Sequence, residues 1–162
     1  MLEIDEYIAL QKKSRNKFDD DFEFVKHIYL DLGHRFYFDP SYFFGNSKHK
    51  RKLYKSITRN PKDLNLYFKS GCIICKSLSY ICEYIFKNLG FLTNTLVEVD
   101  DIHTYNSIKI GENVYFMDLQ LDLKRIQLNI APKYLLYSAT QNMSNTCNSS
   151  ILSLCFFYNN DS

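Results

Sequence analysis

Cys75, His103 and Asp118 stand along a chain of 162 residues in the order nucleophile, base, carboxylate. A thiol becomes a working nucleophile when its thiolate is stabilised, a base lies within hydrogen-bonding reach, and a third group fixes that base. The spacing gives each of the three a place. Ser70-Gly71 reads as a turn, and from Cys72 onward Ile74, Leu78, Ile81, Cys82, Ile85 and Leu89 recur as a helical stripe that Gly90 closes at the C′ position. Cys75 then falls in the first turn of a Cys72–Leu89 helix. There, unpaired backbone N–H groups and the helix dipole favour a thiolate; cysteines so placed have pKa values of about 3.5–7.5.

The base and its support come from the segment that follows. Three strand-like stretches, Thr93–Val99, His103–Ile110 and Val114–Leu119, come after the helix, and Gly111-Glu112-Asn113 separates the last two as a hairpin turn. A loop centred on Gly111-Glu112 gives an odd pairing sum, which puts His103 and Asp118 on one face as opposite or diagonal neighbours. Their Cβ atoms are then about 5–8 Å apart. Asp118 can accept from one imidazole nitrogen while the other faces sulfur. One helix followed by an antiparallel meander is α+β, not alternating βαβ.

These residues resemble the transglutaminase-like branch of the papain-like cysteine protease superfamily, in which a helix opens with the nucleophile and a β-meander supplies His and Asp. The resemblance covers about Lys69 to Asp122. Ser70-Gly71-Cys72-Ile73-Ile74-Cys75 is similar to the family's Gly-rich approach to its cysteine, and Ser79 with the run Leu78 to Gly90-Phe91 is similar to its helix and closing glycine. His103-Thr104-Tyr105 resembles its His-Ala-Trp, and Tyr115-Phe116-Met117-Asp118-Leu119-Gln120 its Asp-bearing strand. Asp118-Leu119-Gln120 is also similar to the same step in bacterial effector glutamine deamidases. Lys76 stands where an aromatic commonly follows the nucleophile.

The resemblance implies a papain/transglutaminase-like fold and cysteine-dependent acyl transfer on protein amides, either glutamine deamidation or peptide-bond hydrolysis. The catalytic residues would be Cys75, His103 and Asp118, and the Cys75 N–H would be one oxyanion donor. No cofactor and no metal is implied. The partner would be a protein substrate, and the expectation is a bacterial effector acting on a host protein.

Composition bounds the rest. The chain is 46% hydrophobic, 16% aromatic and 23% charged, with 20 Lys+Arg against 18 Asp+Glu, the profile of one folded domain. A net charge of +2 gives no global case for nucleic acid. No apolar run reaches the ~20 residues that span a bilayer, and the acidic start Met1-Leu2-Glu3-Ile4-Asp5-Glu6 is unlike a signal peptide. The expectation is a soluble chain, cytoplasmic or exported without a classical signal into a host cytosol. Five cysteines (Cys72, Cys75, Cys82, Cys147, Cys155) are an odd number, which argues against a disulfide framework.

Elsewhere, Phe18, Phe22, Val25, Ile28, Tyr29 and Leu32 predict a helix that starts at Asp19-Asp20-Asp21 and is capped by Gly33. An aromatic loop spans Phe36 to Phe44, a basic helix spans Lys48 to Lys55, and the chain breaks at Asn60-Pro61. Leu121–Ile130 fits strand or helix, Ser138–Ser150 is polar, and Ile151–Tyr158 reads as a final strand.

Three other readings compete. Cys72-Ile73-Ile74-Cys75 is a C-x-x-C at a helix start, which suits thiol–disulfide exchange. Cys72, Cys75, Cys82 and His103 are enough ligands for zinc, although no second closely spaced pair exists. Lys48, Lys50, Arg51, Lys52 and Lys55, with the aromatic loop, suit a non-catalytic interaction module, the plainer alternative being a solvated helix face. Each site residue also has a structural reading: a core thiol, a hydrogen-bonding histidine, a strand-ending aspartate.

Overall fold

In the computed structural model, which describes residues 2–97 and 103–138, the apolar stripes of the first third become two helices, α1 (Ile4–Ser14) and α2 (Asp21–Arg35). Asp20 caps α2, its carboxylate accepting from the Glu23 N–H at 2.8 Å, so the acidic run does start a helix at the positive end of its dipole. Val25, Ile28, Tyr29 and Leu32 are buried at the predicted spacing, whereas Phe18 lies before the helix and packs on Phe24.

Gly33 is not the cap. The helix continues past it to Arg35, and Gly33 faces Ile126 of a later helix, α7 (Leu119–Gln127). A Cβ at Gly33 would stand 2.4 Å from Ile126 Cδ1, so the missing side chain serves close helix packing and not termination.

The aromatic stretch is not a plain loop. It forms a two-residue strand β1 (Tyr37–Phe38) and a short helix α3 (Pro40–Phe44), for which Asp39 caps Ser41 N–H at 2.7 Å. The basic segment is helix α4 (Ser47–Ser56). Asn60-Pro61 begins helix α5 (Pro61–Ser70), with Asn60 as cap and Pro61 in the first turn, where its missing N–H removes nothing from the ladder. Gly71, at φ +70°, ends α5 in the left-handed region.

Cys72 does not open the next helix. Cys72–Ile73 is strand β2, parallel to β1 with Tyr37 opposite Cys72 and Phe38 opposite Ile73. Tyr37 N–H donates to Gly71 O at 2.9 Å and Asp39 N–H to Ile73 O at 2.8 Å. These bonds and the β-branched Ile73-Ile74 pair keep the chain extended. The helix α6 (Cys75–Asn88) therefore starts at Cys75 itself. Its end matches the sequence reading: Gly90 sits at φ +95°, its N–H bonds Lys87 O, and Phe91 N–H bonds Phe86 O, which closes a Schellman motif.

After α6 the chain forms a four-stranded antiparallel sheet in the order β3 (Thr93–Val97), β4 (Thr104–Ile110), β5 (Asn113–Met117), β6 (Tyr137–Ser138). The β4–β5 turn is the two-residue Gly111-Glu112, with Gly111 at φ +58°. The strand β5 stops at Met117, short of the expected Leu119, because Asp118 caps α7, and α7 resolves the ambiguous 121–130 stretch as helix. The helix α6 packs on β3 and β4, and its Ile81, Ile85 and Phe86 share the core with Ile108 and with Phe24, Ile28 and Leu32 of α2. The architecture is α+β. Residues 98–99, the polar stretch after Ser138, the expected strand Ile151–Tyr158, Cys147 and Cys155 lie outside the described residues. Among the described residues, no helix is long and apolar enough to cross a membrane.

Candidate active site

The strand–helix junction at Ile74 decides where Cys75 sits. Ile74 is extended (φ −119°, ψ 171°); its N–H donates to Ser77 Oγ at 3.0 Å, and its carbonyl accepts the first ladder bond, from Leu78 N–H at 3.0 Å. Cys75 is therefore the first residue of the helix, and its N–H precedes the ladder. The thiol is free and largely covered, with the residue 5% exposed.

The hairpin register places the other two groups. Asn106 pairs with Met117 and Ser107 with Phe116, so one further step sets Asp118 opposite Tyr105 and on the diagonal to His103. Both are buried. His103 Nε2 and Asp118 Oδ2 form a short hydrogen bond. Tyr105 stacks on the imidazole, 6.4 Å between centroids at 17°.

Burial is the strongest influence on the ring and works against its protonation. It is outweighed by hydrogen bonds to Asp118 and Cys75 and by the charges of both groups, so His103 is raised to about 10. The imidazole is hydrogen-bonded to the carboxylate, and the Cys75 thiol lies near enough to raise its proton affinity further. The structure brings together the three residues that the sequence singles out.

Two sets of bonds hold this geometry. Ser79, one turn along α6 from Cys75, donates from Oγ to the Thr104 carbonyl at 2.9 Å, directly beside His103; Asn106 Nδ2 returns a bond to the Ser79 carbonyl at 2.9 Å. The helix that bears Cys75 is thereby tied to the strand that follows His103. The Asp118 carboxylate is held from the other side: Oδ1 caps α7 through the Leu121 N–H at 3.2 Å, and its own N–H bonds Tyr134 O at 3.0 Å.

Behind it lies Asp122, with no exposed surface, which accepts from Tyr29 OH, Lys133 N–H and Tyr134 N–H, each at 2.8 Å. Burial pushes the Asp122 carboxyl above its ordinary range. Sequence reasoning missed Asp122 and Asn106. Asp122 did carry a signal, an acid on the apolar stripe Leu119, Leu123, Ile126 of α7.

The remaining candidates are arranged differently. Cys82 is sealed in the core, where burial above all, with the Asp118 charge, pushes its thiol up to about 12. Cys72 lies on β2; partial burial first, then the Asp39 charge, raises its thiol. The C-x-x-C pair is thus split between a strand and a helix, with both thiols free. Among the described residues, no three His, Cys, Asp or Glu side chains are grouped so as to hold a metal ion.

Lys76, where an aromatic was expected by resemblance, lies over the Tyr54 ring at 4.4 Å and donates to the Tyr54 carbonyl at 2.9 Å. An aromatic of α4 thus lies against the residue that follows Cys75. No family model, no curated protein and no solved structure matches the chain.

Proposed function

We propose that the chain is a cysteine-dependent acyl-transfer enzyme acting on protein amides, by glutamine deamidation or peptide-bond hydrolysis, with Cys75 as nucleophile. The observation that carries this reading is the buried imidazole of His103, hydrogen-bonded to the Asp118 carboxylate, with its proton affinity raised against the effect of burial by both Asp118 and Cys75. A histidine serving only as a core hydrogen-bonder has no need of a nearby thiol at a helix start.

In the proposed reaction Asp118 holds Nε2, which leaves Nδ1 for the sulfur. His103 holds the proton that Cys75 gives up, the sulfur attacks the amide carbonyl, and the Cys75 N–H faces the developing oxyanion. The C–N bond breaks as the imidazolium gives its proton to the departing amine or ammonia. Water, deprotonated by His103, then resolves the thioester to a carboxylate and restores the thiol. The order and placement of the three residues support a papain/transglutaminase-like site, and a bacterial effector working on a host protein remains the context we favour.

The test is alkylation of the purified chain by iodoacetamide at mildly acidic pH, with mass spectrometry to locate the adduct. Cys75 should react well ahead of Cys72 and Cys82 and should lose that advantage in His103→Ala. Labelling of Cys75 at the rate of an ordinary thiol, unchanged by His103→Ala, overturns the proposal. Mass spectrometry of incubated proteins then separates amide-to-acid conversion from chain cleavage.

A further inference from the structure

A one-sided run of positive charge is joined to the segment that carries Cys75. The helix α4, SKHKRKLYKS, carries five Lys and Arg and no acid. The whole chain is +2, so the remainder sums to −3. Lys48, Arg51, Lys52 and Lys55 recur at i, i+3, i+4 and i+7, which is one face of the helix, and all four are exposed. Among the described residues none of them, nor Lys50, has a carboxylate within ion-pair distance.

The opposite face is committed to the body. Leu53 and Ile57 line a small cleft with Ile73, Ile74 and Ser77, and the Tyr54 carbonyl holds Lys76. The helix is therefore joined to the strand–helix junction that presents Cys75, with Lys48, Arg51, Lys52 and Lys55 on its exposed side.

We infer that the outer face of α4 is a docking surface for an acidic stretch of the protein substrate, flanking the residue that Cys75 attacks. This inference rests on the acyl-transfer reading and names the substrate class for it. A membrane-surface helix needs a free apolar face to insert, and that of α4 is already used. A nucleic-acid binder generally carries a strongly basic domain, whereas this chain is nearly neutral outside one helix. Four like charges with no ion-pair partner among the described residues, on a helix joined to the segment of Cys75, favour a short run of Asp or Glu on a polypeptide.

The probe is a fluorescent glutamine-centred peptide flanked by glutamates, compared with the same peptide flanked by serines or by lysines. Binding to the full chain is read by anisotropy at low and at physiological salt. The acidic peptide should bind at least about tenfold more tightly than the others, weaken as salt rises, and lose its advantage in the Lys48→Glu/Arg51→Glu/Lys52→Glu/Lys55→Glu variant. The milder Arg51→Gln/Lys55→Gln pair should fall between the two.

Iodoacetamide labelling of Cys75 should be unchanged in both variants, which confirms their folding and keeps the two proposals separable. Cys75→Ala should bind the acidic peptide as the wild type does. Equal binding of the three peptides, or an acidic advantage that survives charge reversal, overturns the inference. So does preferential binding of single-stranded DNA or of phosphatidylserine vesicles over the acidic peptide.

Discussion

Replacing Asp118 by Asn removes a charge while keeping the shape of the side chain. Asn is as good a helix cap as Asp, so the bond to the Leu121 N–H survives and α7 keeps its start. What changes is the imidazole. In the folded wild type His103 holds its proton up to about pH 10, against 6.5 for the free ring. The stability that this proton contributes is complete below 6.5 and declines as the pH rises through about 10, by at most about 1.4 kcal/mol per pH unit. Between about pH 6 and about pH 9 the wild type therefore loses about 2–3 kcal/mol from this one group.

In Asp118→Asn, burial is no longer offset by the carboxylate, the proton affinity of the ring falls, and that decline is largely absent. The variant should be the less stable protein at pH 6, and the gap should narrow as the pH rises. For a chain of this length ~2–4 °C in Tm accompanies each kcal/mol, so thermal melts followed by circular dichroism should show a gap about 5–10 °C smaller at pH 9 than at pH 6. A gap that stays constant, or widens with pH, would refute a protonated His103 held by Asp118.

Three further outcomes follow from particular contacts. Asp122→Asn should cost about 2–4 kcal/mol in urea unfolding, because an amide NH2 would face N–H or O–H donors that the carboxylate now accepts, and it should slow Cys75 alkylation by loosening Tyr134 beneath Asp118. Gly33→Ala should destabilise by about 1–2 kcal/mol despite alanine's better helix propensity, since Ile126 Cγ2 would lie 2.9 Å away; adding Ile126→Ala should make the two changes non-additive, as a double-mutant cycle would show. Ser79→Ala should leave the thermal midpoint within a few degrees but reduce the rate of Cys75 alkylation about tenfold; an unchanged rate would mean that the bond to Thr104 does not align thiol and imidazole.

The hairpin was legible because a two-residue turn at Gly111-Glu112 leaves one register, and the register alone puts His103 and Asp118 within a diagonal step. The end of α6 was legible for a similarly local reason: at φ +95°, Gly90 has a conformation that side chains resist. The misreadings arise where distant contacts override local pattern. Gly33 looked like a terminator because its close approach to Ile126, about ninety residues away, leaves no mark on neighbouring residues. Cys72 looked helical because periodicity continues through it, while its pairing with Tyr37 is set by a second chain segment. Asp118 was read as the end of a strand, and its second duty as the cap of α7 was hidden by a segment that fits both helix and strand periods.

That second duty has an evolutionary corollary. One carboxylate oxygen of Asp118 starts a helix while the other steadies the imidazole, so the two roles cannot be lost independently by truncating the side chain. If the chain reacts as proposed, a descendant that abandoned that chemistry but kept its shape would be under pressure to exchange Asp for Asn, never for Ala. In a relative, an Asn at this position would then mark the cap kept without the carboxylate that the imidazole needs.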